Sequence, residues 1–365
     1  MEIGIVGLSQ CGKTTVFNAL SKGSTDTNTP YSSTKPNLGT AKVHDSRLKP
    51  LEEMFRPKKT VAAEIKYIDF PNSHDGLSHT NGISGAFLNA LQGADAILQV
   101  VRAFHDPSVP HVDGSVDPYR DILTMNLELA FADLAILERR VERLENELKG
   151  AKSHEKDGKL REHATLARIK SALEEEIPIR EQHLSADESK LLQNFQFLTQ
   201  KPMLIVWNTG EEQTAQASDL EENLKLLHSS PWVAIVAFCA KLEMDLMDMG
   251  DEEATEFRIA MDLQEPGLYR AVRASYALLG LISFFTVGSD EVRAWTIDLD
   301  TPALKAAGKI HTDIERGFIR ADVISYEHLS ECGSISEGKK RGLFRLEGKT
   351  YKVQDGDIIN FLFNV

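Results

Sequence analysis

The run from Gly7 to Thr14 contains the residue types and the spacing that could bind a nucleotide triphosphate. It fits the pattern Gly-x-x-x-x-Gly-Lys-Ser/Thr, in which backbone N–H groups surround phosphate oxygens and the N-terminus of the next helix favours anions. In such a loop Lys13 reaches the β and γ phosphates, and the Thr14 hydroxyl is placed to bind Mg²⁺. A glycine-rich turn with a purely structural role is the alternative interpretation.

The elements around this loop predict an α/β fold of the P-loop nucleotidase type, similar to a G domain, with a mostly parallel sheet. Residues 3–6 form an apolar, strand-like run, and residues 15–20 carry apolar side chains at helical spacing. Four more apolar runs are predicted to be strands of the same sheet: 65–68, 96–101, 203–207 and 233–238. Ligands of open α/β sheets lie beyond the carboxyl ends of the strands, where Asp69, Asn208 and Cys239 occur.

Asp69 takes the position of the second Mg²⁺-associated carboxylate of P-loop proteins, which usually acts through water. The common sequence at this point is Asp-x-x-Gly, whereas this chain continues as Phe70, Pro71 and Asn72. The glycine contributes an N–H to the γ-phosphate and lets the backbone pivot between two states. Asn72 keeps an N–H for that contact, so we expect γ-phosphate binding with a stiffer second switch.

Base recognition is expected at Asn208-Thr209-Gly210-Glu211. Guanine-specific proteins use Asn-Lys-x-Asp here, in which a short carboxylate accepts hydrogen bonds from two donors on the guanine edge. This chain lacks the lysine and its acid is Glu211, which removes one reason to reject adenine. ATP is therefore predicted in preference to GTP, with GTP specificity as the alternative. The segment Cys239-Ala240-Lys241 is placed to back the base.

Composition narrows the choice of partners and compartment. A net charge of −14 over 365 residues argues against a chain that coats nucleic acid by bulk attraction, and DNA is not expected as a partner. Three scattered cysteines suit neither a disulfide framework nor a zinc site. The chain shows no signal peptide and no apolar run of membrane-spanning length, which predicts a cytoplasmic protein without membrane contact. The basic run Lys339-Lys340-Arg341 is either a local RNA contact or a solvated turn.

A long insertion before residue 203 is predicted to form an antiparallel coiled-coil hairpin over residues 120–198. Two apolar seams at heptad-like spacing support it. The first seam consists of Leu134, Leu137, Val141, Leu144 and Leu148, and the second of Leu166, Ile169, Leu173 and Ile177. Residues 150–158 are small and charged, and are predicted to be the connecting loop. The hairpin is either a packed spacer or an arm that binds a partner.

After residue 280 the pattern changes to short β-like runs separated by glycines and acidic residues, which is typical of a small mixed β domain. The predicted strands are 282–287, 294–297, 318–324, 349–353 and 358–362, with one helix over 301–307.

These motifs together resemble the YchF family of Obg-related P-loop proteins over essentially the whole chain. The most specific segments are 291–297 (EVRAWTI), 307–313 (AGKIHTD), 317–321 (GFIRA) and the ending from 355 to 365. The resemblance implies an Obg-type nucleotide-binding domain over 1–280, in which the coiled-coil hairpin is inserted at 120–198. It also implies a TGS domain over 281–365, a ubiquitin-like β-grasp fold associated with RNA or ribosome binding.

The resemblance further implies an ATPase that uses Mg²⁺, prefers ATP to GTP and associates with the ribosome or RNA through the TGS domain and the hairpin. We expect slow hydrolysis, with Lys13 and Asp69 in the catalytic roles. Family positions predict phosphate contacts from Ser9, Gln10, Cys11, Gly12, Lys13, Thr14 and Thr15, base contacts from Asn208, Thr209, Glu211, Cys239 and Ala240, and a Mg²⁺ ligand at Ser33 or Thr34. Related proteins that use K⁺ have Asn where Gln10 stands, so K⁺ dependence is not carried over. A nucleotide-binding adaptor with negligible hydrolysis is the alternative from another class.

Overall fold

The structure, a computed structural model, describes residues 1–21, 36–70, 85–150, 152–227, 230–261, 263 and 265–364. They form two compact units, the first made of Met1–Thr40 and Lys66–Ala274, and the second of Ala41–Ile65 and Ser275–Val365. The second unit thus includes Ala41–Ile65, a segment that the sequence patterns assign to the nucleotide domain. Among the described helices, none has both the length and the apolar character needed to cross a membrane.

The described residues contain twelve strands and fourteen α-helices. The strands are β1 Glu2–Val6, β2 Asn37–Lys42, β3 Lys59–Val61, β4 Glu64–Asp69, β5 Ala96–Arg102, β6 Met203–Asn208, β7 Val233–Phe238, β8 Leu281–Val287, β9 Glu291–Asp298, β10 Phe318–Ser325, β11 Arg345–Glu347 and β12 Asp357–Phe363. The helices are α1 Lys13–Ser21, α2 Leu48–Phe55, α3 Gly85–Gly93, α4 Pro118–Gly150, α5 Ser153–Glu174, α6 Ala186–Leu192, α7 Ala217–Leu227, α8 Ala240–Met247, α9 Asp251–Ala260, α10 Gly267–Leu278, α11 Ala303–Ile310, α12 Thr312–Arg316, α13 Tyr326–Cys332 and α14 Ile335–Lys340.

The first unit is built on a six-stranded sheet in the order β2-β4-β1-β5-β6-β7. Strands β4, β1, β5, β6 and β7 pair in parallel, as predicted from their apolar runs. Every residue of β5 is buried, which is the pattern of a parallel strand covered on both faces. β2 was not predicted, because Asn37–Lys42 contains few apolar residues. The parallel order brings the carboxyl ends of β4, β1, β5 and β6 to one edge of the sheet.

The coiled-coil hairpin is confirmed as the pair of helices α4 and α5. Ion pairs join Glu147 to Lys159 (3.0 Å) and Glu138 to Lys170 (3.5 Å), a spacing that shows antiparallel helices. Both predicted seams contribute to a single apolar cluster, with the fully or nearly fully buried side chains Leu137, Leu144, Leu166, Ile169 and Leu173. The apolar face therefore drives the pairing of the two helices.

Two details of the predicted hairpin are wrong. Residues 150–158 were expected to be a loop, but α5 begins at Ser153, because charged side chains are compatible with the exposed face of a helix. Ile177 was placed in the second seam, yet α5 ends at Glu174 and Ile177 is exposed. A periodic pattern defines the face of a helix better than it defines its ends.

The second unit is built on a sheet in the order β11-β10-β12-β8-β9-β3. β8 and β9 form an antiparallel hairpin, and β12 lies between β10, with which it is antiparallel, and β8, with which it is parallel. Together with α11, this is the predicted β-grasp arrangement. Its core joins Phe284 and Phe361 of the sheet to Ala303 and Ala307 of α11.

Three features of the second unit differ from the sequence patterns. One helix was predicted after residue 280, over 301–307, whereas the described residues there form the four helices α11 to α14, of which the last three are too short to show a clear apolar periodicity. The predicted strand 349–353 is absent from the described residues, where only Lys352 forms an isolated bridge, to Pro302. The short strands β3 and β11 were not predicted, because three residues carry too little alternation to be recognised. β3 pairs in parallel with β9 and thereby adds residues 59–61 to the edge of this sheet.

Candidate active site

The phosphate loop runs from the end of β1 to the start of α1, as the sequence predicts. Gln10 has a φ of +60° and Gly12 a φ of +95°, both in the left-handed region. A Cβ atom at Gly12 would overlap the Nδ2 atom of Asn208, so this position requires glycine for space as well as for its backbone conformation. Such conformations let successive N–H groups converge on an anion.

Lys13 is held inside the loop by its own backbone. Its Nζ atom donates hydrogen bonds to the carbonyl oxygens of Gly7 at 2.8 Å and of Leu8 at 2.9 Å. The side chain is buried, so its positive charge is poorly screened by solvent. A cation fixed in this way is suited to the β and γ phosphates of a nucleotide.

Asp69 ends β4 and lies beside Thr14. The Thr14 hydroxyl is 3.5 Å from the Asp69 Oδ2 atom, whereas Oδ1 is buried and has no hydrogen-bond partner among the described residues. Burial raises the pKa of Asp69, and the nearby charge of Lys13 opposes this shift. A hydroxyl beside an unpaired carboxylate oxygen is a hard-oxygen donor set that fits Mg²⁺, either directly or through water.

Asn208 joins the phosphate loop to the segment after β7. Its Nδ2 atom donates to the Cys11 carbonyl oxygen at 3.0 Å, and its Oδ1 atom accepts from the Ala240 N–H at 3.1 Å. The side chain is buried, and Cys239 precedes α8 as its N-cap. Asn208 therefore fixes the distance between two loops that the sequence places on one site.

Glu211 and Thr209 occupy different environments. The Glu211 carboxylate is about half exposed and forms an ion pair with Lys241 at 3.0 Å. Thr209 is buried; its N–H donates to the Phe238 carbonyl oxygen, and its hydroxyl has no hydrogen-bond partner among the described residues. The acid predicted to face the base is thus already paired with a lysine.

Arg102 and Phe104 are site residues that the sequence patterns missed. Arg102 ends β5 opposite Asn208 in β6 and is buried, and its Nη2 atom donates to the Val109 carbonyl oxygen at 2.8 Å. Its guanidinium lies 4.5 Å from the centre of the Phe104 ring, and that ring approaches Gly12. The sequence did offer one signal for Arg102, namely an arginine at the end of an apolar strand. A cation buried at such a position needs hydrogen-bond acceptors around it, which indicates a structured polar site.

The structure brings most of the predicted residues to one edge of the sheet, in two groups. Lys13, Thr14 and Asp69 form one group, and Cys11, Asn208 and Ala240 form the other. Within the loop Ser9 and Thr15 are half-buried and Gln10 is exposed. The predicted contacts at Asn72, Ser33 and Thr34 lie outside the described residues and stay predictions.

A phosphate loop between β1 and α1, a parallel sheet and a buried carboxylate beside Thr14 define a P-loop NTP hydrolase with a G-domain-like fold. Family models support this class: the model described as a 50S ribosome-binding GTPase matches residues 2–129. The model for the C-terminal part of YchF GTPases, described as a protein of unknown function, matches residues 281–364.

Full-length relatives narrow the class to one family. The ribosome-binding ATPase YchF of Bacillus subtilis (strain 168) is 41% identical over 368 residues, covering 100% of both chains. The protein of the same name from Escherichia coli O157:H7 is 40% identical over 365 residues, covering 100% of this chain and 99% of the relative. The structure of the Schizosaccharomyces pombe YchF GTPase matches with a TM-score of 0.87 at 31% identity, over 99% of this chain and 97% of that one. This chain belongs to the YchF family.

Proposed function

We propose that this protein binds ATP with Mg²⁺, hydrolyses it slowly and associates with ribosomes in the cytoplasm. The observation that carries the nucleotide part is the convergence of Lys13, Thr14 and the unpaired oxygen of Asp69 at the carboxyl ends of β1 and β4. The ribosome part is supported by the full-length relatives from Bacillus subtilis and Escherichia coli, which are ribosome-binding ATPases.

The residues of this chain supply binding and charge stabilisation. The loop N–H groups and Lys13 would hold the β and γ phosphates, and Lys13 would oppose the negative charge that develops between them. Thr14 and Asp69 would hold Mg²⁺, which would supply positive charge to neutralise the phosphate groups. We place the remaining Mg²⁺ ligand at Ser33 or Thr34 and the γ-phosphate N–H contact at Asn72.

The base end of the site supports ATP over GTP. Guanine recognition needs a free, short carboxylate, whereas Glu211 is longer, half exposed and paired with Lys241 at 3.0 Å. Both polar atoms of the Asn208 side chain are bonded to the protein backbone. Phe104 beside Gly12 offers an apolar ring that does not distinguish between purines. Without an acceptor that selects guanine, the site has little reason to exclude adenine.

A competition titration with Mg²⁺ present tests the base preference. A fluorescent ATP analogue is bound to the purified full-length chain and displaced by ATP or by GTP. We expect ATP to displace it at a lower concentration than GTP. Displacement by GTP at much lower concentration would establish the second candidate, a GTP-specific GTPase.

Phosphate release separates an ATPase from an adaptor that only binds nucleotide. The wild type should release phosphate from ATP slowly but measurably, and Lys13→Ala should be slower by at least about 100-fold, because its ammonium stabilises the transferred charge. If both proteins release phosphate no faster than ATP hydrolyses in buffer alone, the chain is a nucleotide-binding adaptor and not an ATPase. Lys190→Ala is the matched control, since this exposed lysine lies in α6 and not in the nucleotide site.

The ribosome part is tested by co-sedimentation of the purified chain with ribosomes from the same organism. We assign ribosome or RNA contact to the domain over 281–365 and to the hairpin at 120–198, both attached to the nucleotide domain over 1–280. A chain that stays in the supernatant at low salt, with or without a nonhydrolysable ATP analogue, would rule this association out.

A further inference from the structure

Arg102 is the last residue of β5, and only 2% of it is exposed. Its side chain donates three hydrogen bonds, all of them to backbone carbonyl oxygens of the segment that follows the strand. The Nε atom donates to Phe104 at 3.3 Å, and Nη2 donates to Asp106 at 3.4 Å and to Val109 at 2.8 Å. One side chain therefore fixes the course of residues 103–109, which we call the β5 loop.

The other hydrogen bonds of the β5 loop are local. The Ala103 N–H donates to the Asn208 carbonyl oxygen at 2.9 Å, next to the strand end. Ser108 donates its N–H and its hydroxyl to the Asp106 Oδ1 atom, at 2.9 and 2.6 Å, and these bonds shape the turn itself. Among the hydrogen bonds of the described residues, those of Arg102 alone attach the far part of this loop to the sheet.

Arg102 also packs against the ring of Phe104, which lies at the phosphate loop. The guanidinium is 4.5 Å from the ring centre, and the ring is half-buried. A Cβ atom at Gly12 would lie 4.0 Å from the Phe104 Cε1 atom and would overlap the Asn208 amide. The ring is thus found where the phosphate loop meets the first residue of the predicted base segment.

Asp106 brings the same loop close to the base end of the site. Hydrogen bonds from Ser108 are the main cause that lowers the pKa of Asp106, and the positive charges of Arg102 and Lys241 lower it further. Lys241 is paired with Glu211, the acid predicted to face the base, at 3.0 Å. The β5 loop therefore borders the base end at two points, near Gly12 and near Lys241.

Stability alone does not account for an arginine at the end of β5. Its Nη1 atom is buried and has no hydrogen-bond partner among the described residues. A buried cation costs free energy that a well-packed apolar side chain would not cost. A planar guanidinium can, however, bond to several carbonyl groups at once, as it does here. The residue therefore contributes the shape of the β5 loop more than it contributes stability.

We propose that Arg102 is a positioning residue for nucleotide binding, which holds Phe104 in place as one wall of the nucleoside end of the site. The inference deepens the proposed function and rests on it, because it concerns the same nucleotide. Aromatic rings bind bases by stacking, and a ring that is already fixed loses less entropy on binding. The phosphate groups are assigned to Lys13 and the loop N–H groups, and Arg102 donates none of its hydrogen bonds to that loop.

A displacement titration distinguishes the two ends of the site. A fluorescent ATP analogue with Mg²⁺ is bound to the purified full-length chain and displaced by ATP or by inorganic tripolyphosphate, which lacks the nucleoside. For Arg102→Gln we expect about tenfold weaker binding of ATP and unchanged binding of tripolyphosphate. Equal losses for the two competitors, or no loss for ATP, would overturn the inference, because a merely structural arginine does not affect the nucleoside end selectively.

Further variants test whether Arg102 acts through Phe104. Phe104→Ala should show the same selective loss of ATP binding, and the variant that combines it with Arg102→Gln should lose no more than either change alone. Losses that multiply would show that the two side chains act separately, which contradicts the inference. Arg102→Lys keeps the charge without the planar set of donors, so it should behave like Arg102→Gln, and it replaces that variant if melting curves show it to be unfolded. Wild-type affinity in Arg102→Lys would mean that charge alone matters, and would also overturn the inference.

Arg180→Gln is the matched control. Arg180 is likewise a buried arginine, 8% exposed, and its Nη1 atom donates to the Thr199 carbonyl oxygen at 3.3 Å, outside the nucleotide site. Its replacement should leave the binding of both competitors unchanged. A wild-type chain that does not bind ATP would overturn the proposed function itself. ATP binding by the wild type, with equal losses for both competitors in Arg102→Gln, overturns this inference alone.

Discussion

Asn208 shows how one side chain can be both a motif residue and a structural tie. Its amide donates to the Cys11 carbonyl oxygen and accepts from the Ala240 N–H, so it links the loops after β1 and β7. Removing it leaves both backbone groups buried without a partner, each of which costs free energy. The position of the phosphate loop therefore depends on a residue almost 200 positions away in the chain.

We expect Asn208→Ala to lower the free energy of unfolding of the first unit by about 2 kcal/mol, because two buried backbone groups lose their partner. Binding of an ATP analogue should weaken by about tenfold, since the loop is no longer held. Urea unfolding and a fluorescence titration measure the two effects. Asn146→Ala, at an exposed position in α4, is the control and should leave both values unchanged. Unaltered binding by Asn208→Ala would show that the loop holds its shape alone.

Gly12→Ala tests the steric requirement of the same contact. The added Cβ overlaps the Asn208 amide, and the backbone conformation at a φ of +95° is strained for alanine. We expect loss of measurable nucleotide binding in the fluorescence titration together with a lower melting temperature. Gly93→Ala is the matched control, because its Cβ would meet nothing within 4 Å. Equal nucleotide affinity for the two variants would contradict this account.

The residues that act through a short motif were predictable, and those that depend on loop shape were not. Lys13 and Thr14 follow from eight consecutive residues, and Asp69 follows from the end of a recognisable strand. The ion pair between Glu211 and Lys241 of α8 joins residues 30 positions apart, so spacing alone could not indicate it. Arg102 and Phe104 act through carbonyl groups of the following loop, which no side-chain pattern encodes.

At the scale of elements, apolar periodicity predicted the buried faces and the order of the helices and strands better than it predicted the residues at which they begin and end. The parallel strands and the two helices of the hairpin follow from runs and heptads, because burial selects one face of each element. The start of α5 at Ser153 was missed, since solvent-facing charged residues fit a helix and a loop equally well. The base of the hairpin depends on a polar contact, made by Asp133, that periodicity does not reveal.

Asp133 in α4 fixes the base of the hairpin. Its buried carboxylate accepts from the N–H groups of Leu198 at 2.9 Å and Thr199 at 2.7 Å. Burial raises its pKa from 3.8 to about 6, although the two hydrogen bonds oppose the shift. Between pH 6 and pH 4 the folded chain therefore binds a proton that the unfolded chain does not. The contribution of Asp133 to stability is present below pH 3.8 and is lost as the pH rises through about 6.

We expect Asp133→Asn to reduce this pH dependence. On going from pH 7 to pH 5 the wild type should gain about 1 kcal/mol of stability relative to the variant, because the folded carboxyl group takes up its proton mainly below pH 6. Urea unfolding at the two pH values measures the difference. Asp157→Asn, at an exposed position in α5, should change neither value. A parallel pH profile of the wild type and Asp133→Asn would show that the carboxylate keeps its ordinary pKa.

At the scale of the molecule, the second unit is discontinuous in sequence. Residues 41–65 contribute α2 and β3, and Arg47 connects this segment to the C-terminal part of the unit. The Arg47 guanidinium lies 2.7 Å from the Asp355 carboxylate and 5.1 Å from the centre of the Phe285 ring. A contact between residues 308 positions apart leaves no local signal, so the sequence patterns placed residues 41–65 in the nucleotide domain.

We expect Arg47→Ala to loosen the attachment of β3 and α2 to the sheet of the second unit, by about 2 kcal/mol, because a bidentate contact with Asp355 and a ring contact are lost together. Hydrogen exchange read by mass spectrometry measures this locally, and peptides covering β3 and β9 should exchange faster. Lys58→Ala is the matched control: its ion pair with Asp290 is 82% exposed on both sides and contributes little. Peptides from β5 and β6 in the first unit should keep their protection in both variants. Equal exchange of β3 and β9 in the two variants would mean that strand pairing alone holds residues 41–65 to the C-terminal sheet.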